Sequence, residues 1–214
     1  RALASGHHLL NEHQALQLLT AYDIPVAETL TARSPDEAAQ IAQQLDQAVV
    51  LKIMSPDVAN KSQIGGIARY LNTPDAVRQA ATAMLTQLRS VAPAARFEGF
   101  LLQPMVSRDS AYELTIGVRP GSGFGPVIYF GQGGIEADTI NDFAYGLPPL
   151  NMHLAREVMA QTRIYPRLRY SLLRRANLNA LALTLVKVSQ MIIDLDELTE
   201  LDINPLWVTA QGVV

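Results

Sequence analysis

The sequence predicts a mixed fold, α/β or α+β, on three observations. Helix-period and strand-like segments alternate along most of the 214 residues. Two helix starts carry capping signatures, Ser34-Pro35-Asp36-Glu37 and Thr73-Pro74-Asp75. Short apolar, β-branched runs between the helices are bounded by glycine and proline. Hydrophobic residues make up 49% of the chain and charged ones 17%, which suits a buried core and not a disordered polymer.

Taken in order, Leu9, Leu10, Leu16, Leu18, Leu19 and Tyr22 recur at helical spacing and predict a helix over 9–22. An extended run follows at 24–31, interrupted by Pro25. Ser34 caps a helix reaching Asp46, with proline in its first turn and glutamate three residues after the cap. The run 48–54, AVVLKIM, reads as a buried strand carrying one lysine. A loop over 55–66 leads to a strand at 67–71 and a Thr73-capped helix to Val91. After a linker at 93–97, three strands are expected at 99–105, 112–118 and 126–130, the last two joined by a glycine-rich turn at 119–123. A second glycine-rich loop covers 131–147. Helices at 151–162 and 177–193 precede two strands, 197–203 and 206–209, broken at Pro205. Two subdomains are expected, 1–95 and 96–214.

Composition removes several functional classes. The chain has no cysteine, which excludes disulfide scaffolds, thiol catalysis and cysteine-ligated zinc, and points to the cytoplasm. No apolar run approaches the length needed to span a bilayer, and no signal peptide is evident. The net charge is −3, which argues against a broad nucleic-acid surface. Six arginines between Arg156 and Arg175 read as a solvated helical face, and His7, His8, His13 and His153 lack metal-ligand spacing. Of 17 basic residues only Lys52, Lys61 and Lys187 are lysines, two of them close together in the most distinctive segment.

That segment is VLKIMSPDVANKSQIGG, residues 50–66. A lysine in mid-strand is costly to bury unpaired. It suits either a strand facing an anion or an edge from which the side chain snorkels. The loop adds Ser55, Lys61, Ser62, Gly65 and Gly66, residue types that let backbone amides and a point charge approach phosphate. A second segment, 113–134, starts at Glu113 and ends in Gly131, Gly133 and Gly134 after a strand. Its strand–glycine order is like a phosphate cradle, with no Walker pattern or complete dinucleotide fingerprint, and turn glycines are the commoner explanation. A third, ELTELDINP at 197–205, puts Glu200, Asp202 and Asn204 on one face of a strand. A carboxylate beside an amide oxygen suits a hard cation such as Mg²⁺, although in isolation the solvated face of an edge strand is the commoner explanation.

In this order the segments resemble the ATP-grasp domain of the NDP-forming acyl-CoA synthetases, related to the β subunit of succinyl-CoA synthetase. The likeness runs from the helix at Leu10–Glu12 and Asp23-Ile24-Pro25-Val26 through LKIMSPD, KS..GG, EL.IG, FGP and G.GG to DINPL. It implies an ATP-grasp fold of two α+β subdomains holding the nucleotide between them, with ATP and Mg²⁺ as cofactors. It places Lys52 on the ATP phosphates, with the Lys61–Gly66 loop, Ser62 and Gly65 included, over them. Gln103, Met105 and Val106 would form the hinge beside adenine, with Glu113 near the ribose and Gly133 and Gly134 in the phosphate-side loop. Asn204 would be a metal ligand, and Asp202 an acidic neighbour of the transferred phosphoryl group and of the metal.

Three departures from the family pattern bear on function. The family's relay histidine falls at Asn60, and an amide cannot form a phosphohistidine. The family's Gly-x-Arg-Gly turn is replaced by RYSLLRRANLNAL. The family's second Mg²⁺ carboxylate follows DINPL beyond Val214, so the chain is expected to be a fragment of a larger protein. The missing histidine resembles the degenerate synthetase region of Pat-type bacterial protein lysine acetyltransferases. That leading reading implies a CoA-binding synthetase-like domain and a GNAT domain in the same chain, and a regulatory rather than complete catalyst. The alternatives are an active ATP-grasp subunit of an ADP-forming acyl-CoA synthetase, and an interaction module without nucleotide. An oligomer fits each of them.

Overall fold

The computed structural model describes residues 10–58, 61–105, 111–123, 125–134, 137–171 and 175–214, the Asp138 side chain excepted. These residues fall into two compact units, one containing Val26–Met105 and the other combining Glu12–Pro25 with Val106–Val214. The family-like α+β character is present in both: each has one four-stranded antiparallel sheet and helices.

Helix α1, Glu12–Ala21, opens the described chain and belongs to the second unit. In the first unit β1 (Leu30–Ala32), α2 (Pro35–Leu45), β2 (Val49–Met54), β3 (Ile67–Leu71), α3 (Pro74–Val91) and β4 (Gly99–Pro104) form a sheet of order β1-β4-β2-β3 with two helices. Both helices begin where the caps predict. The Ser34 hydroxyl accepts from the Glu37 amide at 3.1 Å, and the Thr73 hydroxyl from the Ala76 amide at 3.2 Å. Each such cap contributes about 1 kcal/mol. Glu37 reaches back to the Arg33 amide at 2.7 Å, one residue earlier than a simple capping box.

Val49, Leu51 and Ile53 of β2 are fully buried with Phe100 and Leu102 of β4 against Val77, Met84 and Leu88 of α3 and Ala38 and Ala42 of α2. Alternation therefore places Val50, Lys52 and Met54 on the opposite face of β2, where they are half-buried. The expected strand at 99–105 is present, but as the inner strand between β1 and β2. The hydrophobic run GFLL supplies both faces of that central position.

The second unit holds β5 (Tyr112–Gly121), β6 (Gly125–Gln132), α4 (Ala137–Ile140), β7 (Phe143–Gly146), α5 (Met152–Ala160), α6 (Tyr165–Tyr170), α7 (Leu178–Asp194) and β8 (Leu201–Val208). Its sheet order is β7-β6-β5-β8. Leu114, Ile116 and Val118 share one face with Phe130, Ile128 and Leu206, all buried. Helix α5 covers that face at Gly146, where an added Cβ would lie 2.8 Å from Val158. Lys187 of α7 donates to the Asp23 carbonyl, tying the segment after α1 to α7.

Several expectations are corrected here. The segment 131–147, expected as loop, contains α4 and β7, each of four residues and too short to show a period. Helix α6 lies in a stretch given no element. The two final strands are one strand, β8, passing through Pro205 with a cis Asn204–Pro205 peptide. Proline is tolerated there because β8 is an edge strand and its register against β5 shifts between Leu114 and Ile116. No helix of the described residues is long and apolar enough to cross a membrane.

Candidate functional site

The first unit supplies one half of the predicted constellation. Lys52 stands opposite Leu101 of β4 and Ile67 of β3, and Val50 stands opposite Gln103. Cross-strand partners share a face, so Lys52 and Gln103 project from the side of the sheet opposite the core that α2 and α3 cover. The Gln103 amide donates to the Thr29 hydroxyl at 2.9 Å, which fixes its orientation. Met105 follows the strand and its amide bonds to the Ala48 carbonyl at 2.9 Å. Asp57 ties the chain after β2 to the segment leading into β4. Its carboxylate accepts from the Arg96 amide at 2.8 Å and from the Arg96 guanidinium at 3.1 Å. Arg96 accordingly holds the Asp57 carboxyl below its ordinary value, chiefly through these hydrogen bonds.

The Lys61–Gly66 loop is folded on itself. Gly66 donates to the Lys61 carbonyl at 2.8 Å and Gly65 to the Ser62 carbonyl at 3.2 Å, while Ile53 of β2 donates to the Gly66 carbonyl at 2.9 Å. Glycine is needed at 65 for its φ of +66° and at 66 for space, since a Cβ there would sit 2.7 Å from Ile53. Both glycine amides are thus engaged within the loop, where Ser62 and Gln63 are exposed and Lys61 is half-buried. Asn60 and Val106 lie outside the described residues.

The second unit brings together Glu113, Gly133, Gly134, Asp202 and Asn204. Asp202 of β8 stands opposite Gly117 of β5, which stands opposite Tyr129 of β6. The Tyr129 hydroxyl donates to Asp202 Oδ1 at 2.9 Å, and the Thr115 hydroxyl to the same oxygen at 3.2 Å. Asn204 lies two residues on, and its Oδ1 accepts the Gly134 amide at 3.0 Å. Gly133 donates to the Glu113 carbonyl at 3.0 Å and approaches the Leu114 carbonyl too closely for a Cβ. A Cβ at Gly134, where φ is +94°, would lie 3.0 Å from the Glu113 carboxyl carbon. The two glycines therefore let a loop close over Glu113 and deliver an amide to Asn204.

Asp202 and Asn204 provide one carboxylate and one amide oxygen on a polar, exposed strand face. Among the described residues no three acidic or histidine side chains converge as a metal cage. This donor set fits a Mg²⁺ ion that takes its remaining ligands from phosphates and water, and does not fit an all-protein site.

Sequence reasoning missed Gly117, Tyr129 and Thr115. A glycine inside a strand, at EL.IG, is the signal that marks such a close approach. Tyr129 could be connected to it only once the register was known.

Residues 1–214 match the family model described as an ATP-grasp domain. The chain belongs to the ATP-grasp family. This ATP-grasp domain is 35% identical over 213 residues to an ADP-forming acetate–CoA ligase I of Archaeoglobus fulgidus, covering 99% of the chain and 30% of that relative. It is 31% identical over 212 residues to the β subunit of an ADP-forming acetate–CoA ligase II of Pyrococcus furiosus, covering 98% of the chain and 89% of the subunit. The domain thus spans under a third of one relative and most of the other. Among solved structures it superposes with a TM-score of 0.91 on acetyl-coenzyme A synthetase 1 of Ca. Korarchaeum cryptofilum in complex with coenzyme A, Ca-AMPCP and HgCl⁺. That match has 29% identity and covers 99% of the chain and 92% of the structure. The ATP-grasp domain is therefore of the type found in NDP-forming acyl-CoA synthetases, as the order of its motifs implied.

Proposed function

We infer that the chain is the nucleotide-binding component of an ADP-forming acid–CoA ligase and binds ATP with Mg²⁺. The observation that carries this is the array on β5 and β8, where Asn204 accepts the Gly134 amide of a turn closed over Glu113 and Asp202 lies two residues before it on the strand. Within the first unit, the Lys52 face of β2 also carries Gln103, a side chain able to read a purine edge. The relatives named above are acid–CoA ligases, which favours this reading over the acetyltransferase one and over a nucleotide-free module.

Phosphoryl transfer asks little covalent chemistry of the protein and depends on placing groups and neutralising charge. Lys52 and Lys61 would bind phosphate oxygens, Glu113 a ribose hydroxyl, and Asn204 and Asp202 the metal. Mg²⁺, when bound, supplies neutralisation of the phosphate charge during transfer. The CoA-binding part would come from a partner domain or subunit.

Asn60 is the observation that favours a second reading, a regulatory domain of a Pat-type acetyltransferase, because an amide offers no nitrogen nucleophile for phosphate. ADP release from acid, CoA and Mg·ATP separates the two. The ligase reading predicts measurable ADP formation by the full-length protein with its CoA-binding partner, loss of it in Lys52→Ala, and an increase in Asn60→His. Mg·ATP binding without any acid- and CoA-dependent ADP would instead support the regulatory domain.

A further inference from the structure

We propose that Tyr129, seated in the space left by Gly117, is a positioning residue that aims the Asp202 carboxylate. The proposal deepens the reading above and rests on Asp202 serving the metal–phosphate end of that site.

Tyr129, Gly117 and Asp202 occupy one cross-strand row over three adjacent strands. In an ordinary row the central side chain would separate its neighbours. Here the central residue has none, and a Cβ at Gly117 would overlap the Tyr129 ring. The ring therefore lies across β5 and carries its hydroxyl 2.9 Å from Asp202 Oδ1, a strand pairing further than a tyrosine on β6 would otherwise reach. The ring is held from its other sides. Phe143 of β7 meets it edge-on, with centroids 5.7 Å apart and planes at 86°. The Arg119 guanidinium lies 4.7 Å from its centroid. Tyr129 is only 6% exposed, so the hydroxyl has little freedom to swing to water.

Both hydroxyls that bond to Asp202, from Tyr129 and from Thr115, meet the same oxygen. Two hydroxyl donors on Oδ1 restrain the carboxylate, and in the proposed role Oδ2 is the oxygen offered to a ligand. A carboxylate so held needs no reorganisation when a cation arrives, and hydrogen bonds made behind a metal-binding carboxylate tune its affinity.

The test is a calorimetric titration of Mg²⁺ into the full-length protein at saturating ATP, compared across Tyr129→Phe, Thr115→Val, Asp202→Asn and the Tyr129→Phe/Asp202→Asn double variant. Tyr129→Phe keeps the ring in its hole and removes only the donor. It is expected to weaken the apparent Mg²⁺ affinity about three- to tenfold, the equivalent of one ordinary hydrogen bond. ATP binding in EDTA should be unchanged. The double variant should be no weaker than Asp202→Asn alone, because Tyr129 acts only through that carboxylate. Unaltered Mg²⁺ affinity in Tyr129→Phe, with Asp202→Asn impaired, overturns the positioning role and leaves the functional reading standing. Penalties that add fully in the double variant also overturn it. An Asp202→Asn variant indistinguishable from the parent removes Asp202 from the site and overturns the proposal along with that part of the reading.

Discussion

Tyr129 carries the most specific physical signature of any residue here, because its phenol is buried against a carboxylate. Its ordinary value of 10.0 rises to about 12, through burial first and the Asp202 charge second. In the unfolded chain the phenol releases its proton near 10. The unfolded state therefore binds fewer protons between about 10 and 12, and deprotonation in that window favours unfolding. The stability tied to the neutral phenol is fully present below pH 10 and is lost as pH rises through 12. Denaturant unfolding of Tyr129→Phe should show a shallower loss of stability than the parent over that window, and parallel curves would contradict the assignment. This network was closed to sequence reading. Glu113, Asp202 and Asn204 stood out as chemistry in a recognisable order, whereas Tyr129 looked like any strand aromatic. Its importance depends on a register that places Gly117 beside it. Gly65 and Gly66 were legible as special positions, but as phosphate amides. The loop uses their amides internally and needs glycine for φ and for space.

At the scale of elements, β2 shows how one strand divides stability from function. Its sequence VVLKIM has only one polar residue, which suggests burial on both faces. The alternation of burial instead assigns Val49, Leu51 and Ile53 to the core under α2 and α3, and the half-buried Lys52 to the opposite face. Ile53→Ala should therefore cost about 2–5 kcal/mol in unfolding measurements, since it opens a cavity beneath α3. Lys52→Ala should cost less than about 1 kcal/mol while removing nucleotide affinity. Equal destabilisation by the two would show that Lys52 is a core residue. The capped helices α2 and α3 were legible because Ser34 and Thr73 act locally, within four residues. β7, α4 and α6 were not, because four to six residues carry too little periodicity and depend on tertiary pairing. Pro205 marked a real irregularity. The edge position of β8 absorbed it as a register shift instead of a strand end.

For the whole molecule, the family was readable because three weak motifs in one order are far more specific than any of them alone. The assembly around the domain was not. One residue, Asn60, drew the reading toward an acetyltransferase, yet a single substitution alters one relay step and leaves the ATP-grasp architecture of both sheets intact. We propose that the chain binds Mg·ATP and that Lys52 and the Asp202–Asn204 strand each contribute to the affinity. The direct measurement is calorimetric titration of Mg·ATP into the full-length protein and into its Lys52→Ala and Asn204→Ala variants. A saturable heat in the parent, with affinity at least about tenfold weaker in each variant, is the predicted result. No binding heat in the parent, or the same affinity in all three proteins, would contradict it.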